Sequence, residues 1–261
     1  SDAPKNKDID IIVELIGGAE GPAKNLVFNA LKNKKHVVTA NKALIAKYGD
    51  KLAKIAEKNK VNLEFEAAVC GGVPIVRSIK EGLIANKISR IYGIFNGTSN
   101  YILSSMDINK TSFKDTIKKA MDLGYAESNP SSDINGDDVA SKVKILSCLS
   151  FNSFLNQKIH VEGIKTIDSD DINNADKLGY KIKMLGFSEI INNKLYQRVH
   201  PTLVKKSSYI ASVNGVLNAV IVDGKPIGKN IIQGEGAGPA ATTSALVSDI
   251  SSILRGNIKY P

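Results

Sequence analysis

The sequence predicts two architectures in series, an α/β part built on a parallel sheet and an α+β part with antiparallel pairing. Three observations carry this. Apolar, β-branched runs alternate with helical stretches as far as Val69. Beyond His160, paired apolar runs separated by Asn192-Asn193 and by Asp223-Gly224 dominate the second half, and a glycine-rich stretch, Gly234-Glu235-Gly236-Ala237-Gly238, opens a last helical segment. Strand and helix in alternation favour crossovers and parallel strands, whereas short Asn and Asp-Gly turns favour hairpins.

The first element is Ile9 to Ile16, a near-continuous apolar run of the kind that forms a strand buried on both faces, followed by Gly17-Gly18. A helix follows from Pro22 to Asn33, a strand from His36 to Ala40, a helix from Lys42 to Asn59 and a strand from Val61 to Val69. In such a βαβαβ order ligands sit at the carboxyl ends of the strands, here marked by Gly17-Gly18 and by Thr39-Ala40-Asn41-Lys42. A dinucleotide fold opens with strand, GxGxxG and helix, and nothing before Ile9 supplies them. The chain therefore reads either as another fold or as part of that one.

Glu66 to Ile75, EAAVCGGVPI, is a tight turn whose carbonyls, with Glu66, could hold a hard cation through oxygen. A plain turn into a helix from Pro74 to Ala85 is the simpler reading. Ile88 to Phe95 alternates as a strand. Asn96-Gly97-Thr98-Ser99-Asn100 then enters a short helix with Tyr101, Ile102 and Leu103 inward, where polar side chains either cap the helix or meet a ligand. Ser112 to Leu123 is helical.

The stretch from Met121 to Ser150 carries the chemistry. Asn135 reads as the N-cap of a helix whose first turn holds Asp137 and Asp138. On an ideal helix Val139, Val143 and Leu146 fall within roughly 60° of arc, and Ile145 and Leu149 widen it. Asp138 and Lys142 lie inside that arc, while Asp137 and Lys144 point to the other side. Spacing alone equally fits an exposed i,i+4 salt bridge worth about 0.3–0.5 kcal/mol. An inward lysine, however, needs a partner, and desolvation lowers its pKa toward the range useful for proton transfer. With Glu127 and Asp133 in the preceding loop, the cluster suits a small substrate that carries both charges and needs a proton.

Further on, His160 to Ile167 reads as a strand and Asp170 to Tyr180 as a helix. Met184 to Ile191 and Leu195 to Val204 form a hairpin, as do Ala219 to Val222 and Lys225 to Gly228. The last helix has Pro239 in its first turn and Ala245, Leu246, Ile250 and Leu254 inward. Its glycines let backbone N–H groups approach an anion or a ring, although their spacing is not the nucleotide fingerprint.

Bulk properties narrow the classes. Of 261 residues, 43% are hydrophobic and 23% charged, as in ordinary globular proteins. Net charge is +9, but the lysines are scattered without an arginine-rich or aromatic-interleaved block, which argues against nucleic acid. Two cysteines and three separated histidines offer neither a disulfide scaffold nor a zinc site. No apolar run reaches the roughly 18 residues of a membrane span, and the polar start is no signal peptide, so a reducing cytoplasm is expected.

In order, VELIGG, TANKAL, EAAVCGGVPI, NGTSNYIL, GYAESNPSSDINGDDVASK, NAVIVDG and GEGAG resemble the homoserine dehydrogenase family over nearly the whole chain. The resemblance implies NADPH- or NADH-dependent reduction of aspartate 4-semialdehyde to L-homoserine, on the route to threonine, methionine and isoleucine. It implies part of a Rossmann domain at residues 1–68, an inserted α+β catalytic and dimerisation domain at 69–236, and a final helix at 237–261 that returns to the Rossmann part. It makes Lys142 the proton donor, with Asp138 and Glu127 holding the substrate ammonium and Lys142, assisted by Asp133. It places Lys42 near cofactor and substrate, and Ile16, Gly17, Gly18, Gly124, Gly236 and Gly238 along the nicotinamide. It turns Glu66, with the carbonyls of Val69, Gly71 and Val73, into a sodium site, and implies a homodimer. The family's GxGxxG half and regulatory module have no counterpart in these 261 residues, so weak dinucleotide binding is expected. Alternatives of other classes are an inactive self-association module and a lyase with Lys142 as Schiff base.

Overall fold

A computed structural model describes residues 2–152 and 157–256. The chain divides into two compact units: residues 1–85, 144–157 and 237–261, and residues 86–143 and 158–236. Residues 69–85 and 144–157 thus group with the first unit rather than with the inserted domain, and residues 257–261 of the final predicted region lie outside the described residues.

The first unit is built on a parallel sheet of order β1-β2-β3, with β1 Ile11–Glu14, β2 His36–Thr39 and β3 Leu63–Glu64. Helix α1, Pro22–Lys32, starts on the predicted proline and buries Ala23, Val27, Ala30 and Leu31 at helical spacing. Helix α2, Lys42–Asn59, has the predicted bounds because the Asn41 side chain accepts the Leu44 N–H and Lys60 turns left-handed at its end. Helix α9, Pro239–Leu254, contributes Leu246 and Ile253 to a cluster with Val38, flanked by Ile11, Ala40, Ala67 and Ile250. Leu254, expected inward, is exposed because it ends the helix.

Three expectations fail here for local reasons. Strand β1 is not buried on both faces: Val13 is 41% exposed, and the ladder stops at Glu14, whose carboxylate draws the chain into a turn. Strand β3 ends at Glu64, ahead of a single 3-10 turn at Glu66–Ala68. The helix expected from Pro74 to Ala85 is a short α3, Ile75–Arg77, that widens into π-helical Ser78–Gly82, with the Leu83 N–H on the Ser78 carbonyl.

The second unit is a six-stranded sheet of order β5-β7-β6-β4-β8-β9: β4 Lys87–Ile94, β5 His160–Val161, β6 Tyr180–Ile191, β7 Lys194–Lys205, β8 Leu217–Lys225 and β9 Gly228–Glu235. All pairs are antiparallel except β5 with β7. The Asn192-Asn193 turn is as expected, both residues left-handed as a tight hairpin requires. The other turn is not at Asp223-Gly224, which pair with Lys229 and Gly228; it falls at Pro226-Ile227, where proline cannot donate to the ladder. The strand expected from His160 to Ile167 stops at Val161. Gly163 leaves the sheet so closely against Ile134 that a Cβ there would lie 2.4 Å from the Ile134 carbonyl oxygen.

Helix α4, Gly97–Asn109, is longer than expected, and α5, Phe113–Asp122, is capped by Ser112. The polar loop contains a further helical turn, α6, Ser131–Asn135, so Asn135 ends α6 instead of capping the next helix; left-handed Gly136 separates it from α7, Asp137–Phe151. Helix α8, Ser169–Lys177, starts a residue earlier than expected on a capping box between Asp168 and Asp171. One face of the sheet packs Ile94, Leu185, Val204, Ala219 and Ile221 against Ile210, Ala211 and Val213.

Candidate active site

The inward face of α7 is as the periodicity predicts. Val139, Val143, Ile145 and Leu146 are buried, and so are Asp138 and Lys142, only 5% and 8% exposed, while Asp137 is exposed. The Lys142 Nζ donates to Asp138 Oδ2 at 2.8 Å and to the Phe95 carbonyl at 2.6 Å. A surface salt bridge is thereby excluded: this is a desolvated charge pair, whose members depend on each other.

Asn96, next to that carbonyl at the junction of β4 and α4, completes the group. Its Nδ2 donates to Asp133 Oδ1 at 2.7 Å and to Asp138 Oδ2 at 2.9 Å, while its Oδ1 accepts the Ser99 N–H. From the sequence Asn96 either caps the helix or meets a ligand; the structure shows it capping α4 and also bridging two acids. Asp133, Asp138, Lys142 and Asn96 therefore form one hydrogen-bonded cluster, open at Asp133, which is half-buried. Glu127 stands exposed on the loop after α5, outside that cluster, and the loop is tied to α4 by the Thr98 hydroxyl on the Tyr125 carbonyl. Gly124 is exposed in the same loop. Gly236 packs on Asn218, whose amide atoms would lie 2.1 Å from a Cβ, so this glycine has a packing reason of its own.

Also in the second unit, Lys183 of β6 is 1% exposed, with Nζ on the Val213 carbonyl and on Asn100, Ser104 and Asn214 oxygens. Burial pushes it down to about 7. Sequence alternation had not singled it out.

In the first unit, the loop after β1 is held from below. Buried Glu14 accepts the N–H groups of Ile16 and Gly17 on Oε1 and the Thr39 hydroxyl on Oε2, and the Asn41 amide donates to the Gly18 carbonyl. Gly17 and Gly18 both take positive φ with open space above them, a conformation for which glycine is suited. Lys42, half-buried, begins α2 directly after Asn41. These residues flank the carboxyl ends of β1 and β2, where a parallel sheet of this kind binds ligands. Gly238 is the N-cap of α9. Glu14, read as part of an apolar run, was missed; an acid inside such a run was the available signal.

Glu66 is buried and accepts the N–H groups of Val76 and Arg77, one on each carboxylate oxygen. Burial pushes its carboxyl up to about 7, and neighbouring Asp249, which takes the Glu66 N–H and pairs with Arg77, up to about 6. The Val69, Gly71 and Val73 backbone follows within the same turn, all three buried. Among the described residues no cluster of three or more His, Cys, Asp or Glu is placed to hold a metal, and no helix is long and apolar enough to cross a membrane.

Two family models cover the chain: one described as homoserine dehydrogenase, NAD binding domain, matches residues 2–66, and one described as homoserine dehydrogenase matches residues 74–251. The chain is 48% identical over 250 residues to the homoserine dehydrogenase of Neisseria gonorrhoeae, covering 95% of this chain and 57% of that protein. It is 45% identical over 261 residues to that of Pseudomonas aeruginosa, covering 100% and 60%. It thus spans less than two thirds of these curated relatives. Among solved structures it superposes on a homoserine dehydrogenase from Thiobacillus denitrificans with TM-score 0.94 and 46% identity, over 97% of this chain and 59% of that one. A hyperthermophilic archaeal homoserine dehydrogenase in complex with NADPH gives TM-score 0.81 at 28% identity, over 97% and 73%.

Proposed function

The chain belongs to the homoserine dehydrogenase family, and on that premise we propose that the protein interconverts L-homoserine and L-aspartate 4-semialdehyde with NADP or NAD. The observation that carries this is the buried Lys142–Asp138 pair with Asp133 beside it. The nicotinamide, when bound, supplies or accepts the hydride. Lys142 gives the proton to the substrate oxygen in the reducing direction and takes it back in the other, held in place by Asp138 and the Phe95 carbonyl. Asp133, Asp138 and Glu127 hold the substrate ammonium. Ile16, Gly17, Gly18, Lys42, Gly124, Gly236 and Gly238 hold the cofactor; the strapping of the Ile16–Gly18 loop by Glu14 and Asn41 supports the first part of that set.

A sodium ion belongs at Glu66 with the carbonyls of Val69, Gly71 and Val73. An all-oxygen donor set suits a hard monovalent cation, and a cation there would favour the ionised Glu66 carboxylate against the burial that pushes it up to about 7. The exposed Tyr196 and Ile231, on one face of the second unit's sheet, support a homodimer, and the free thiols Cys70 and Cys148 suit a reducing cytoplasm. The test is homoserine-dependent NADP reduction by the protein and by Lys142→Ala. The variant should lose about 10²–10⁴-fold in kcat. Unchanged turnover in the variant would remove Lys142 from the chemistry.

A further inference from the structure

Asp133 and Asp138 are two acids that both bond to one nitrogen, so their charges repel at short range, and Asp138 must also serve Lys142 through the same oxygen, Oδ2. The group between them is neutral. An amide nitrogen has two hydrogens, and here one meets each acid. The amide cannot turn over, because its oxygen accepts the Ser99 N–H at the start of α4. Nor can the chain beside it shift: a Cβ at Gly97 would lie 2.7 Å from the Val216 carbonyl oxygen, and the Phe95 carbonyl is taken by Lys142.

We infer that Asn96 is a positioning residue for the proposed reaction: its amide holds the Asp133 and Asp138 carboxylates side by side in ionised form, which keeps Asp138 on Lys142 and both acids facing the substrate ammonium. This rests on the functional reading above. The charges that meet the amide are Asp133 from α6 and Asp138 from α7, with Lys142 behind Asp138; the buried charge of β6, Lys183, bonds further along α4, at Asn100 and Ser104. No aspartate could replace Asn96 in this role, since an ionised carboxylate donates nothing, and a serine has a single hydrogen.

That chemistry separates positioning from folding. Asn96→Ser and Asn96→Asp both keep an oxygen that can cap α4, yet neither can donate to both acids, and Asn96→Asp also adds a third carboxylate, at a buried position, beside Asp133 and Asp138. Removing donors from ionised carboxylates favours their protonated forms, so the low-pH limb of kcat/KM for homoserine should move up by about one pH unit in Asn96→Ser and further in Asn96→Asp, where the added carboxylate repels the other two. Homoserine binding, followed by calorimetry, should weaken about tenfold near pH 6 and KM for NADP should stay put. A structural defect would instead lower both KM-dependent rates and the unfolding midpoint at every pH. Wild-type protein that turns over and binds homoserine, beside variants with an unmoved low-pH limb, overturns the inference alone. Wild-type protein that does neither overturns the functional reading and the inference with it.

Discussion

Gly186 lies in β6 under the first turns of α7, and a methyl group there tests how rigidly the site helix is seated. An added Cβ would meet Val143 Cγ2 at 2.5 Å, Phe95 Cδ2 at 2.9 Å and Val139 Cγ1 at 2.9 Å. Carbon atoms pack at about 3.5–4.0 Å, so Val139 and Val143 must retreat by roughly 1 Å. Those valines flank Asp138 and Lys142 on the helix. A retreat of that size would stretch the 2.6 Å bond from Lys142 to the Phe95 carbonyl out of hydrogen-bonding range. Gly186→Ala should therefore lose about 1–3 kcal/mol of stability by overpacking and about 10²-fold in kcat/KM for homoserine. Gly82→Ala, where a Cβ meets nothing within 4 Å, is the control and should change stability by less than about 0.5 kcal/mol. Urea unfolding and homoserine-dependent NADP reduction measure the two effects. A Gly186→Ala protein with the wild-type unfolding midpoint and rate would refute the claim that β6 fixes the position of the site.

Lys142→Met leaves Asp138 buried without its ammonium and should cost about 3 kcal/mol in urea unfolding; adding Asp138→Asn should recover most of it, and no recovery would mean the pair is not coupled. Glu66 and Asp249 titrate at about 7 and about 6 when folded, above their ordinary 4.5 and 3.8. The folded state thus holds these protons more tightly, so stability is greatest below about pH 4 and falls as pH rises to about 7, on the order of 3 kcal/mol for Glu66. Sodium added to a choline buffer should raise the unfolding temperature near pH 8 and not near pH 4; equal effects at both would count against the cation site. Lys183 runs the other way: its folded value of about 7 lies below the ordinary 10.5, so stability is full above about pH 10.5 and is lost as pH falls toward 7. Lys183→Met should flatten that slope, and a slope that survives would place its origin elsewhere.

Local signals were legible in the sequence. The bounds of α2 follow from Asn41 and the helical pattern, the Asn192-Asn193 turn from turn chemistry, and the apolar arc that holds Asp138 and Lys142 from the 3.6-residue period, although spacing alone fitted an exposed pair equally well. What escaped depends on partners distant in sequence. Asn96 reaches Asp133 and Asp138 across 37 and 42 positions, and Lys142 reaches Phe95 across 47. Glu14 looks like an interruption in a strand until Thr39, 25 residues on, lies beside it. Asn135 shows the limit of capping rules, since it fits an N-cap yet ends α6, because left-handed Gly136 breaks the path between the helices.

The cluster of Val38 with Leu246 and Ile253, and the bond from the Glu66 N–H to Asp249 across 183 positions, set an order of events during synthesis. Strands β1 to β3 leave the ribosome well before the helix that covers Val38. At about 5–20 residues per second the gap is on the order of 10–40 s. During that interval the cluster around Val38 waits without α9 while the whole of the second unit is made and can fold. Nascent chains stalled before Pro239 should therefore bind chaperones through residues 11–64, and release should coincide with emergence of α9.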